Sequence, residues 1–384
     1  MIKFPKHIER IMKPPVVELF NLIQNKEELI SFGQGTPFFS PNRDLMDKFW
    51  IEVKHEPNIH QYSPDPGFLS VRKEIAKYLA IQYQSNSLSW ENIILTSGAN
   101  TAFFILISLI TEPNDEVILL TPYYFNHMMA LQILHVIPVE VKTNENYQPL
   151  IDLIVKKITS KTKAIVVISP NNPTGAVFEE STIEGMLEIC ERYNLILICD
   201  ETYSEFVYEE DQIIKSYYKS SHPLLIRIGS FSKIFGIPGW RIGYIVLPEE
   251  IIPNFMKIQD TVTIAPPTLS QLLVKFLLKE EVNLIAQYRN ELLESRQTML
   301  QLLEESEYFQ VVSTTGAFYF FAKVPFDGMN FASKLATKSN IVVLPGSVFG
   351  KNYRNYIRFS YASMNKHQIE YGFQMITKFI DTQI

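Results

Sequence analysis

Four residues of this chain stand where their neighbours make them chemically unusual: Lys233, Asp200, Asn172 and Arg358. Lys233 lies in the run Gly229-Ser-Phe-Ser-Lys-Ile-Phe-Gly-Ile-Pro-Gly-Trp-Arg-Ile-Gly-Tyr244. Phe231, Ile234, Phe235, Pro238 and Trp240 leave little room for a solvated ammonium, so its pKa should be depressed and its amine nucleophilic. Asp200 directly follows the apolar run Leu195-Ile-Leu-Ile-Cys199. A carboxylate there needs a cation or several donors to offset desolvation. It could cap a helix beginning at Glu201, or it could hold a protonated heterocycle.

Together these residues point to an aldehyde cofactor, pyridoxal 5'-phosphate, bound to Lys233 as an imine. The aspartate would keep the pyridine ring cationic and electron-withdrawing. Asn172, in the turn Asn171-Asn-Pro-Thr-Gly175, could donate to the ring's phenolic oxygen, and Tyr203 could reach the same atom. Stabilising that oxygen as an anion lowers the imine pKa. Ser97-Gly-Ala-Asn-Thr101 opens a helix after a strand, and Gly98, Ala99 and Asn100 could bring free amides to a phosphate. Ser230, Ser232 and Arg241 would complete that cup, the guanidinium taking two phosphate oxygens. Taken singly, a tyrosine at 203 is more often a packing residue than a functional one, and Gly-Ala at a helix start often serves packing alone.

The elements that must place these groups are strands and helices in alternation. Apolar runs at Asn92–Thr96, Glu116–Leu120, Ala164–Ser169, Leu195–Cys199, Leu224–Ile228 and Arg241–Leu247 read as strands. Amphipathic stretches at Asn100–Leu109, Ser181–Tyr193 and Thr268–Leu278 read as helices. Continuous apolar strands separated by helices predict an α/β fold, with a mostly parallel sheet covered on both faces. Ligands of such sheets sit at the strands' carboxyl ends, where the polar residues fall. From Leu284 a smaller α+β domain is expected: a charged helix to Glu307, strands at Phe309–Ser313 and Gly316–Lys323, a helix at Asn330–Lys338, strands at Ile341–Leu344 and Tyr356–Ser360, and a last helix. The expected division is 1–44 as an N-terminal segment docking on the small domain, 45–283 as the large domain and 284–384 as the small one.

Composition narrows the class further. The chain has 384 residues, 46% hydrophobic and 20% charged, with net charge −6 and no basic block to suggest nucleic acid or membrane binding. Its longest strongly apolar stretch, Ala102–Ile110, is too short to span a bilayer. Two cysteines imply no disulfide framework, and a soluble cytoplasmic protein is expected. The seven histidines show no paired spacing for a metal. Gly33-Gln-Gly35 lacks the spacing of a dinucleotide fingerprint. A sensing regulator on this fold would need a DNA-binding module, for which no segment is spare.

Ser-Phe-Ser-Lys with Arg241, Asn-Asn-Pro-Thr-Gly, and Asp200-Glu-Thr-Tyr-Ser-Glu-Phe-Val-Tyr208 together resemble the class I/II aminotransferases of fold type I. The resemblance is nearest to the branch of bacterial aspartate, aromatic and kynurenine/glutamine aminotransferases, and runs from Gly33 to the last helix. It implies that Tyr124 stacks on the pyridine ring. It further implies that Tyr62 reaches the phosphate of a neighbouring subunit in a homodimer, and that Arg358 and Gly35 meet the substrate α-carboxylate. Arg358 is otherwise readable as a structural ion pair, with Arg354 a nearby competitor. Two departures put a dicarboxylic substrate in doubt: Phe38 replaces the usual acidic or asparagine residue, and Asn100 stands where some acidic-substrate members carry lysine. Phe38, Phe39 and Tyr123–Phe125 suggest an apolar or aromatic-tolerant pocket, or else packing between domains. The expected reaction is transamination between an amino acid and a 2-oxo acid. An elimination lyase, a ring-forming synthase or an amino-acid oxidase would keep the same cofactor residues.

Overall fold

The computed structural model describes residues 5–23, 28–57, 59–82, 88–209, 222–280 and 282–383. The chain enters through two short helices, Lys6–Arg10 and Pro15–Phe20, and a two-residue strand β1 (Ile30–Ser31). Then come β2 (Ile93–Thr96), β3 (Glu116–Thr121), β4 (Ile137–Lys142), β5 (Thr162–Ile168), β6 (Ile196–Asp200), β7 (Leu225–Ser230) and β8 (Gly243–Val246). These seven form one sheet in the order β2-β8-β7-β6-β5-β3-β4. Only β8 runs against its neighbours, β2 and β7, so the sheet is mostly parallel.

Alternation along the strands explains why helices must cover both faces. Leu95, Ile165, Val167, Leu197, Cys199, Leu225 and Tyr244 enter one buried cluster. Their intervening neighbours Ile94, Ala164, Val166, Ile198, Ile226 and Ile245 enter a second. Helix Ala99–Ile110 belongs wholly to the second layer, with Phe103, Ile105, Leu106 and Ile107 all buried, which accounts for its unbroken apolar sequence. Helix Leu69–Gln82 packs against helix Thr268–Glu280 and turns Val71, Ile75 and Leu79 into the first. The strand β4 was not visible as an apolar run, because Ile137–Lys142 is an edge strand carrying Pro138, Glu140 and Lys142.

A second, antiparallel sheet follows helix Val282–Glu305: β9 (Tyr319–Lys323), β10 (Ile341–Val342), β11 (Leu344–Pro345) and β12 (Tyr356–Ser360), in which β11-β12-β9 are neighbours. β10 pairs instead with β1, matching Ile30 to Ile341 and Ser31 to Val342, so the start of the chain is stitched to its last third. Three expectations need correction here. Phe309–Ser313 is not a strand; its only ladder contact is the bridge between Gln310 and Lys323. Its buried Phe309 imitates strand alternation, but beyond that one bridge the segment forms no ladder. Gly316 bridges to Val207, and Ala317 and Phe318 form a turn before β9 begins at Tyr319. The run Ile341–Leu344 divides at Val343 between two different sheets. Helix Gly328–Ser339 is capped by the Asp327 side chain and stopped by Asn340 at φ 53°. Among the described residues no helix is long and apolar enough to cross a membrane.

Candidate active site

One edge of the large sheet gathers nearly all the expected chemistry. Parallel strands end there at Thr96, Thr121, Ile168, Asp200 and Ser230, and antiparallel β8 begins there at Gly243. A cavity at this edge is lined by Ala99, Asn100, Tyr124, Asn172, Asp200, Tyr203, Ser230, Ser232, Lys233 and Arg241, with Ile168, Thr202 and Pro238. Crossover order brings them together: β2 and β3 lie on opposite sides of the β5–β7 block, leaving a crevice where the winding reverses.

Lys233 sits in the four-residue helix Phe231–Ile234 that directly follows β7. Its Nζ donates to the Gly35 carbonyl at 2.6 Å. Burial, and then the positive charges of Arg358 and Arg241, push its pKa down to about 8. At pH 7 about a tenth of this amine is therefore unprotonated, far more than for an ordinary lysine. Ser230 Oγ accepts from the Ser232 amide at 3.2 Å, while Ser232 Oγ is buried with no hydrogen-bond partner among the described residues. Gly98, at φ +89°, opens helix Ala99–Ile110, and a Cβ there would lie 2.6 Å from Arg241 Nη2. Arg241 itself adopts the left-handed region at φ 49°, which turns the chain from Trp240 into β8. An orphaned hydroxyl, a guanidinium and the free amides of a helix start converge here, as an anion would require.

Asp200, the last residue of β6, engages a different partner with each carboxylate oxygen. Oδ1 accepts from the Thr202 amide at 3.0 Å and from Thr202 Oγ1 at 2.6 Å, closing a turn rather than capping a helix. Oδ2 lies 3.2 Å from His127 Nε2, with both side chains buried. His127 stacks on Phe103 at 3.9 Å and meets the edge of Tyr124 at 5.4 Å. Its partnership escaped sequence reasoning because 73 residues and a strand separate it from Asp200; the available signal was its place one helical turn after Tyr124. Tyr124 is the N-cap of helix Phe125–Ile133, and its phenol is pushed up to about 12, first by burial.

Asn172 Nδ2 donates to the Tyr203 hydroxyl at 3.1 Å, and Asn172 Oδ1 accepts from Arg358 Nη1 at 2.8 Å. Arg358 Nη2 donates to the Gly33 carbonyl, and its guanidinium carbon rests 4.4 Å above the Tyr319 ring. Among the described residues Arg358 is thus buried beside the cavity without a carboxylate partner, whereas Arg354 points outward to pair with Asp327. Tyr319, which the sequence did not single out, also lies 3.0 Å from the Tyr203 hydroxyl. Phe39 stacks on Tyr288 at 3.9 Å and Phe125 is buried, so both are packing residues; Phe38 remains 44% exposed. Tyr62 is 79% exposed and does not line this chain's own cavity.

Known proteins resemble this chain over most of its length. Residues 27–376 match the family described as "Aminotransferase class I and II". A probable aspartate aminotransferase of Methanocaldococcus jannaschii is 31% identical over 92% of this chain and 93% of its own. Aromatic-amino-acid aminotransferase 2 of Thermococcus litoralis is 28% identical over 93% of each. The aromatic aminotransferase structure from Pyrococcus horikoshii superposes with a TM-score of 0.86 at 28% identity, covering 95% of this chain and 98% of that one. With its family pattern continuous across both sheets and the cavity, this chain belongs to the class I and II aminotransferases.

Proposed function

We propose that this aminotransferase binds pyridoxal 5'-phosphate at Lys233 and moves the amino group of an L-amino acid to a 2-oxo acid, with a broad or aromatic-tolerant side-chain preference. The observation that carries the reading is Lys233: an amine with its pKa lowered to about 8, in the cavity that Asp200, Asn172 and Tyr203 also line. The residues fit the cofactor. The buried Ser232 hydroxyl without a partner, Arg241 against Gly98, and the amides of Ala99 and Asn100 suit its phosphate. Asp200, steadied by Thr202 and His127, suits the ring nitrogen. Asn172 and Tyr203 suit the phenolic oxygen.

When bound, the cofactor supplies an aldehyde and a cationic ring that withdraws electrons from the substrate's α-carbon. The protein does the rest. Arg358 has N–H groups beyond those given to Asn172 and Gly33, and a substrate carboxylate would take them in a paired contact. That grip fixes which face of the α-carbon meets Lys233. The neutral Lys233 amine would then take the α-proton as general base and return it two bonds away, on the far side of the amino nitrogen. Its pKa near the working pH suits both directions.

Asn100 lines the cavity as a neutral residue, and relatives bear both aspartate and aromatic names, which together support a broad preference. Tyr62, exposed and outside its own cavity, supports a homodimer in which it completes the neighbouring site. We also propose the division into 1–44, 45–283 and 284–384, and a cytoplasmic location. A panel of amino donors with pyruvate or 2-oxoglutarate tests the function, following cofactor absorbance in each half-reaction. Amino transfer to the 2-oxo acid is expected. Ammonia, peroxide or a cyclic product in its place would overturn transamination.

A further inference from the structure

Tyr319 opens β9 and is 2% exposed. Its hydroxyl lies 3.0 Å from that of Tyr203, and its ring carries the Arg358 guanidinium at 4.4 Å. It also fills the space over Gly35, where a Cβ would come within 1.8 Å of the hydroxyl. A closed circuit results: Arg358 to Asn172 at 2.8 Å, Asn172 to Tyr203 at 3.1 Å, Tyr203 to Tyr319, and the Tyr319 ring back to Arg358.

Donor counting gives the circuit a direction. Arg358 has only donors, so the oxygen of the Asn172 amide must face it and the Asn172 nitrogen must face Tyr203. The Tyr203 oxygen therefore accepts from Asn172. Tyr203 and Tyr319 have one proton each, and only one can lie between them. An acceptor in the cavity that takes the Tyr203 proton forces Tyr319 to be the donor of the pair.

We propose that Tyr319 is a positioning residue for the transamination: its hydroxyl donates to Tyr203 and so aims the Tyr203 proton into the cavity, while its ring steadies the Arg358 grip. This rests on the reading that the phenolic oxygen of pyridoxal phosphate is the acceptor there. Two donors on the Tyr203 oxygen make it a stronger donor in turn, because chains of hydrogen bonds polarise one another. The site that binds the substrate carboxylate is thereby joined to the site that tunes the cofactor.

The test is a pH titration of the absorbance of the protein loaded with pyridoxal phosphate. Tyr319→Phe removes the hydroxyl and keeps the ring. The titration midpoint is expected to rise by about 0.3 to 1 pH unit, the equivalent of one neutral hydrogen bond. KM for the amino donor should stay within about twofold, since the ring still supports Arg358. Tyr319→Leu removes the ring as well and should raise that KM about tenfold. In a Tyr203→Phe background the midpoint shift caused by Tyr319→Phe should vanish, because Tyr319 acts through Tyr203. A midpoint that falls shows Tyr319 to be a competing acceptor, and one that does not move shows it to be packing; either overturns the proposal. Failure of the parent protein to develop any pyridoxal phosphate absorbance sinks the cofactor assignment instead.

Discussion

Gly35→Ala should damage the enzyme through a single atom. An added Cβ would stand 1.8 Å from the Tyr319 hydroxyl, 2.7 Å from Cζ and 3.0 Å from Cε1. A tyrosine at the surface would swing away at little cost. Tyr319 is buried, bonded to Tyr203 at 3.0 Å and pressed under Arg358 at 4.4 Å, so it resists. Alternatively the Gly35 backbone must yield, and its carbonyl holds Lys233 at 2.6 Å. Overpacking of this kind costs about 1–3 kcal/mol. If it falls on the reacting arrangement, kcat/KM for amino transfer drops about 5- to 150-fold. Tyr319→Phe removes the atom at 1.8 Å and leaves the nearest contact at 2.7 Å, so the double variant Gly35→Ala/Tyr319→Phe should recover part of the loss. A double-mutant cycle on kcat/KM should give a coupling of about 1 kcal/mol or more. Wild-type activity in Gly35→Ala, or strictly additive effects, would refute the argument that Tyr319 is immovable.

The rate at which cofactor-free protein captures pyridoxal phosphate should climb about tenfold per pH unit and level off above about pH 8, since only the neutral Lys233 amine attacks. A plateau delayed to the range of an ordinary lysine would contradict its burial beside Arg358 and Arg241. Lys233→Ala should abolish turnover and the borohydride-fixed adduct; fixation on another residue would displace Lys233 from its role. Gly98→Ala combines a φ of +89° with a Cβ 2.6 Å from Arg241 Nη2, and should weaken cofactor retention about 10- to 100-fold in equilibrium dialysis. His127→Phe keeps the stack on Phe103 but removes the nitrogen 3.2 Å from Asp200, and kcat should fall about tenfold with the melting temperature little changed. An unaffected kcat would mean that Asp200 needs no help.

Local chemistry determined a large share of this protein before any folding. Lys233, Ser230, Ser232 and Arg241 lie within a dozen residues, and Asp200, Thr202 and Tyr203 within four, so one strand end positions each group. The layered sheet was equally legible, because strands buried on both faces must be apolar throughout. β4 was not, since an edge strand with one wet side carries charges that hide it. The false strand at Phe309–Ser313 shows the converse: alternation is necessary for a strand, but a partner backbone makes one. Only the tertiary structure decided which distant residues complete the site. His127 meets Asp200 because β5 alone lies between β3 and β6. Tyr319 reaches Tyr203 across 116 residues, Arg358 reaches Asn172 across 186, and Gly35 reaches Lys233 across 198. Strand order and the docking of the second sheet create those contacts, and neither leaves a mark in the spacing of the residues concerned.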